Sequence, residues 1–207
     1  LARQAYTASK RKEIESRIKT TALTLFAKAG YRAVSLRSIA SEMGLSTPAL
    51  YRYYENKGAL LDALRADGFH FLKRTLHEVR QTASSPVDAA SECMRAYLKF
   101  AMTQSELYCL MYELDQGSIG ESSISLSSRR SAFSEAEGMA RDLLEMAQRT
   151  GDANQMAHLF WISAHGLAAL AVANQLDLGS NFEELIEPVI KTLLNGVLQQ
   201  LEVGNND

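Results

Sequence analysis

The sequence predicts an all-α protein. Helix formers dominate its 207 residues, only three prolines occur, and no long run of Val, Ile and Thr suggests a strand. Apolar residues recur instead at steps of three and four. The length suits one large or two small domains and is ample for a core.

The elements follow in order. Residues 9–29 set Ile14, Ile18, Ala22, Leu25, Phe26 and Ala29 on one helical face, and Gly30 can end that helix. Ser35 can cap a short second helix through Leu36, Ile39, Ala40 and Met43, closed by Gly44 in the left-handed conformation. Ser46 can cap a third, with Pro48 in its first turn, where a missing N–H does little harm. Asn56 can cap a fourth, with Leu60, Leu61, Leu64, Phe71, Leu72, Leu76 and Val79 along it. TASSP at 82–86 ends it. Met94, Tyr97, Leu98 and Ala101 follow, then an apolar cluster at 107–114. The Ser- and Gly-rich stretch at 116–128 reads as a mobile loop. Helical patterns resume at 128–149, 154–175 and 182–201, for about nine helices in all.

Charge divides the chain. Residues 1–60 carry 11 Lys+Arg against 4 Asp+Glu, a net +7; residues 61–207 carry 11 against 20, a net −9. The two parts sum to the −2 of the whole chain. A basic head on an acidic body implies that only the head meets a polyanion; the alternative is a solvated basic face. The division expected is a head at 1–56 and a body at 57–207, with 57–82 connecting them. Cys93 and Cys109 are too few for a disulfide framework and fit a reducing compartment. The most apolar window, 159–173, contains His165 and falls short of the roughly 18 residues of a membrane span. A cytoplasmic protein with no membrane partner is therefore expected.

The helix at 36–43, the turn Gly44-Leu45-Ser46 and the short helix from Thr47 form a helix-turn-helix. The second helix offers its N-terminal residues to the major groove of double-stranded DNA. Ile39, Ala40, Leu45, Leu50 and Tyr54 should point inward, with residues 50 and 54 sharing a face at the helical step of four. Thr47, Pro48, Tyr51 and Arg52 then point outward. An outward tyrosine donates to phosphate and packs on sugar. Lys57 adds a charge beside the anion-binding amides of the fourth helix.

SLRSIASEMGLSTPALYRYYENKGALLDAL, residues 35–64, resembles the DNA-binding segment of the TetR family of bacterial transcriptional regulators. Ile39-Ala40, Gly44-Leu45, Leu50-Tyr51, Tyr54, Lys57 and Leu60-Leu61 match the family pattern in order. The resemblance covers roughly residues 12–65. It implies phosphate contacts from Tyr51, Tyr53, Lys57 and Ser35, and base contacts from Arg37, Thr47, Pro48 and Ala49. Lys10, Arg11 and Lys12 form either an arm over the DNA or a frayed terminus.

The body should serve a symmetric homodimer and an unidentified small-molecule effector. Phe160, Trp161, Ala164, Leu167, Ala168 and Ala171 form one apolar stripe; 185–198 form another, and the family implies a four-helix interface from these last two helices. Trp161 and His165 share a face and either line a pocket or pack as an ordinary core pair. Tyr97, Tyr108, Met111, Tyr112, Phe133 and Met146 suit a pocket lining or a core equally. A ligand that changes the tilt of the fourth helix would change the spacing of two reading heads and release the DNA.

No phosphate loop, nucleophile elbow or zinc-protease motif occurs, so catalysis, a cofactor and a metal are not expected. His70 and His77, like His158 and His165, stand seven apart, about 10 Å along a helix. That is too far for two direct ligands of one metal. The competing readings are a DNA-binding regulator without an effector and, from another class, a helical small-molecule-binding protein or enzyme.

Overall fold

The computed structural model describes residues 2–112 and 122–203, with side chains described for 9–112 and 122–201. The described residues form nine helices and no strand: α1 (Ala2–Ala33), α2 (Leu36–Glu42), α3 (Thr47–Tyr51), α4 (Lys57–Thr82), α5 (Pro86–Thr103), α6 (Ser105–Tyr112), α7 (Ser123–Met146), α8 (Ala153–Val172) and α9 (Phe182–Val203). Short polar side chains set the helix starts. Ser35, Ser46, Asn56, Ser85, Ser122 and Asp152 each accept a hydrogen bond from a backbone N–H of the first turn.

Two apolar cores result. Ile18, Ala22, Phe26, Leu36, Ile39, Leu50 and Tyr54 close the first around α1–α3. Phe69, Leu72, Tyr97, Leu98, Tyr108, Leu143, Phe160, Leu167 and Ile190 belong to the second. α4 serves both: Leu60, Leu61 and Leu64 enter the head core, and Phe69, Leu72 and Leu76 the body core. α6 does likewise, with Leu110 in the head core and Tyr108 and Met111 in the body core. Gly68 lets α4 and α6 approach, because a Cβ there would collide with Met111 Sδ. Bidentate pairs clamp the outer layers. Arg80 donates to Asp142 at 2.7 and 3.1 Å, joining α4 to α7, and Arg95 to Glu187 at 2.7 and 2.9 Å, joining α5 to α9.

The structure corrects several sequence expectations. Residues 123–128 are not loop: α7 starts at Ser123, capped by Ser122, and Ser125 and Ser128 are buried. The Ser128 hydroxyl lies 3.4 Å from Nε2 of His70 on α4, a partner far along the chain that composition does not register. Residues 116–121 lie outside the described residues. The basic run 10–12 is helical, inside α1, which is interrupted at Gly30 (φ 72°, ψ 144°). Tyr54 is buried but is not in α3, which ends at Tyr51; the chain turns and seats Tyr54 beneath the helix.

α8 begins at Ala153 and, by length and composition, is long and apolar enough to cross a membrane. Its inner face, Ala157, Phe160, Ala164, Leu167, Ala168 and Ala171, is buried against its neighbours. Its opposite face exposes Leu159, Ile162 and Leu170, with Gly166 between them. The stripe read from the sequence is thus the core face, and the outward apolar face is a second one.

Candidate nucleic-acid interface and body pocket

The turn between α2 and α3 is held by backbone geometry. Leu45 N–H donates to Ala40 at 2.8 Å and Gly44 N–H to Ser41 at 3.1 Å, the two bonds of a Schellman closure. Gly44 sits at φ 66°, where a Cβ would be strained. The chain then leaves at a steep angle, and the Ser46 hydroxyl accepts from Ala49 N–H at 3.3 Å to start α3.

Leu50 anchors α3 with no exposed surface, and its neighbour Tyr51 is 52% exposed. Ser35, Arg37, Pro48 and Arg52 are exposed; Thr47 and Ala49 are half-buried. Ser35 is also occupied locally, in a reciprocal capping box with Ser38.

Tyr53 is half-buried, and the Arg11 guanidinium lies 5.3 Å from its ring centroid. Arg11 also pairs with Glu15 at 2.8 Å and reaches the Arg52 carbonyl at 3.5 Å. Arg11 of α1 therefore packs against the segment that directly follows the reading helix. Lys57 donates from Nζ to the Tyr31 carbonyl and, at 3.3 Å, to that of Arg32. It satisfies the end of α1, and partial burial lowers its pKa. Burial pushes the Tyr54 hydroxyl up to about 12, so it stays neutral.

The body holds a cavity of about 550 Å³, partly open to solvent, between α4, α5, α7 and α8, with Tyr112 of α6. That is a common size for a small-molecule site. Of the six residues expected to meet a ligand, Tyr97, Tyr112, Phe133 and Trp161 line it. Met111 does not; it packs at Gly68. His165 stands behind the wall: Tyr108 hydroxyl lies 2.6 Å from its Nδ1 and Tyr97 hydroxyl 3.1 Å. Trp161 Nε1 donates to the Tyr97 oxygen at 3.3 Å. Burial lowers the His165 pKa and raises those of Tyr97, Tyr108 and Tyr112. Phe69, Leu72, Leu76, Met94, Met139 and Phe160 complete much of the apolar wall. Sequence reading missed them as lining because core and lining positions share one helical spacing. Cys93 also lines the cavity, and burial pushes its thiol up to about 12, which keeps it protonated at neutral pH.

An exposed reading helix on a basic head, carried by a helical body with its own cavity, defines a helix-turn-helix transcriptional regulator. Comparison with known proteins agrees. Residues 18–64 match the family model for bacterial regulatory proteins of the tetR family, and residues 90–193 match the tetracyclin repressor-like C-terminal domain. The chain belongs to the TetR family. HTH-type transcriptional regulator Rv1816 of Mycobacterium tuberculosis is 30% identical over 104 residues, covering 49% of this chain and 44% of that protein. YerO of Bacillus subtilis, an uncharacterized HTH-type regulator, is 45% identical over 49 residues, 24% of this chain and 17% of its own length. The matches thus span less than half of these curated relatives. Among solved structures, a protein of unknown function from Rhodococcus sp. RHA1 aligns with a TM-score of 0.77 at 27% identity, covering 88% of this chain and 94% of that one. The TetR family regulator PfmR of Thermus thermophilus shares the fold, with a TM-score of 0.68 at 19% identity over 86% of this chain and 97% of its own. The family consists of transcriptional regulators, not enzymes; its members bind operator DNA as dimers and bind small-molecule effectors.

Proposed function

We propose that this protein is a homodimeric repressor that leaves its operator when a small, largely apolar effector fills the body cavity. Residues 1–56 act as the reading head, 57–207 as the regulatory and dimer-forming body, and 57–82 as the connector. The observation that carries the reading is α3: Leu50 is fully buried while Tyr51 and Arg52 stand out on a basic surface. A phenol at the end of the helix and a guanidinium on its C-terminal capping residue, both exposed, suit phosphate contact. Arg37, Thr47, Pro48 and Ala49 are the base-reading set, and Ser35, Tyr53 and Lys57 join Tyr51 on the phosphates. The cavity supports an effector over a body that only dimerises.

The outward apolar face of α8 supports pairing with a second copy, joined by α9. Two heads then meet two half-sites about one or more DNA turns apart. Such a protein works in the cytoplasm, neither crosses a membrane nor catalyses a reaction, and needs no cofactor or metal. The test is selection of bound duplexes from random DNA, followed by binding isotherms for the full chain. A two-fold-symmetric operator supports the reading. Failure to enrich any sequence would overturn it.

A further inference from the structure

One part of the cavity wall is a run of rings. Phe69, 1% exposed, meets Tyr112 edge-on, with 5.7 Å between ring centroids. Tyr112 meets Trp161 at 6.1 Å, and Trp161 meets Phe133 at 5.9 Å. Phe133 then reaches His158 at 4.5 Å, and both are half-buried. These five rings, drawn from α4, α6, α7 and α8, all line the cavity. They form a continuous aromatic track from the core toward solvent. Their spacings are those at which ring faces and ring edges attract. Met94 and Met139 add two thioethers to the lining, and sulfur packs favourably against aromatic edges.

The polar groups of the described lining are already engaged within the protein. Trp161 Nε1 donates to the Tyr97 oxygen at 3.3 Å, Tyr97 to the Tyr108 oxygen at 3.4 Å, and the Tyr108 hydroxyl lies 2.6 Å from Nδ1 of His165. Glu135 meets His77 at 3.2 Å and Arg80 at 3.6 Å. Glu137 accepts from the Asn154 amide, and His158 Nδ1 donates to the Asn154 carbonyl at 2.8 Å. Arg129 has interactions of its own. Arg130 is exposed and keeps its water. Among the described residues, no buried side-chain nitrogen or oxygen lacks a hydrogen-bond partner.

We propose that the cavity takes a flat, uncharged, fused-ring aromatic molecule, laid against the track of Phe69, Tyr112, Trp161 and Phe133. The inference rests on the reading of this cavity as the effector site. A flat guest extends the series of ring contacts, whereas a saturated guest of the same skeleton gains burial alone. A charged head would shed its water in exchange for groups that already have partners, so burying it costs more than it returns.

The full-length protein is dialysed to equilibrium against 2-naphthylmethanol, its decahydro analogue, 2-naphthoate and 2-naphthylmethylammonium. The first two share a skeleton and differ in aromaticity; the first and the last two share the rings and differ in charge. The naphthyl alcohol should saturate about fivefold tighter than its decahydro analogue. It should bind about tenfold tighter than either ion. Phe133→Leu removes a half-buried ring from the track and should narrow the fivefold gap to about twofold. The ranking on the unaltered chain decides the matter even if that variant fails to fold. Either ion binding as tightly as the alcohol, or the decahydro compound doing so, would overturn the ligand class, as would an alcohol that does not saturate. The effector reading is tested apart from this, by operator affinity with the alcohol bound. A filled cavity that leaves operator affinity unchanged would overturn that reading and leave the ligand class standing.

Discussion

The guanidinium of Arg65, 1% exposed, donates through Nε to the main-chain carbonyl of Leu110 at 3.1 Å. The bond ties α4, which enters the head, to α6, whose last residue, Tyr112, lines the cavity. Asp62, one turn earlier on α4, lies 3.3 Å from the same side chain. Arg65→Ala removes a buried charge and leaves the Leu110 carbonyl without this donor. The expected loss is about 3 kcal/mol of stability, read as a lower urea midpoint. An unchanged midpoint would mean that the contact contributes nothing net.

The head residues should separate by kind of effect. Tyr51→Ala removes an exposed ring, so stability stays within about 0.5 kcal/mol while affinity falls on every DNA sequence alike. Arg37→Ala should relax base preference at one position, at a cost of about 1–3 kcal/mol on the best operator. Lys57→Ala should act twice. It reduces the salt slope by about one, and it frees the Tyr31 and Arg32 carbonyls, lowering the melting temperature. A variant with full stability and a weaker salt dependence would show that Lys57 serves DNA alone.

Ile162 is 62% exposed at the centre of the outward face of α8. Ile162→Asp leaves the subunit core untouched and places a charge where a second copy is proposed to pack. Sedimentation should give a monomer with unchanged helical content and much weaker operator binding. A dimer that survives the change would move the interface elsewhere.

His165 supplies a pH dependence whose sign follows from its contacts. Burial holds its folded pKa below the ordinary value of about 6.5, and Nδ1 lies within hydrogen-bond distance of the Tyr108 hydroxyl, at 2.6 Å. The unfolded chain therefore takes up the proton first as pH falls. The contribution to stability is complete above about pH 6.5 and is lost as pH drops through the lowered folded value. His165→Gln keeps an acceptor without titrating, so its melting temperature should fall less than that of the parent between about pH 7 and pH 5. Parallel curves would remove His165 from the account.

Much of the architecture was legible because its signals are local. Ser35, Ser46 and Asn56 cap the helices that their positions imply, and Gly44 takes the left-handed conformation its turn requires. Leu50 inside and Tyr51 outside follow from counting along one turn. These features depend on residues about four positions apart, the reach of a helical hydrogen bond.

What stayed hidden needed a partner from far along the chain. The apolar pattern of α8 has two faces, and only packing against α5, α7 and α9 decided that Phe160 and Leu167 turn inward and Ile162 outward. Met111 and Tyr112 are equally apolar neighbours; the first fills the space above Gly68 and the second lines the cavity. Lys57 reads as a free cation until the end of α1 arrives to accept its hydrogen bonds. Sequence by itself determined where helices start, stop and turn, because that physics acts within a few residues. Tertiary structure decided which faces became core, cavity or open surface, because burial is a property of what lies opposite.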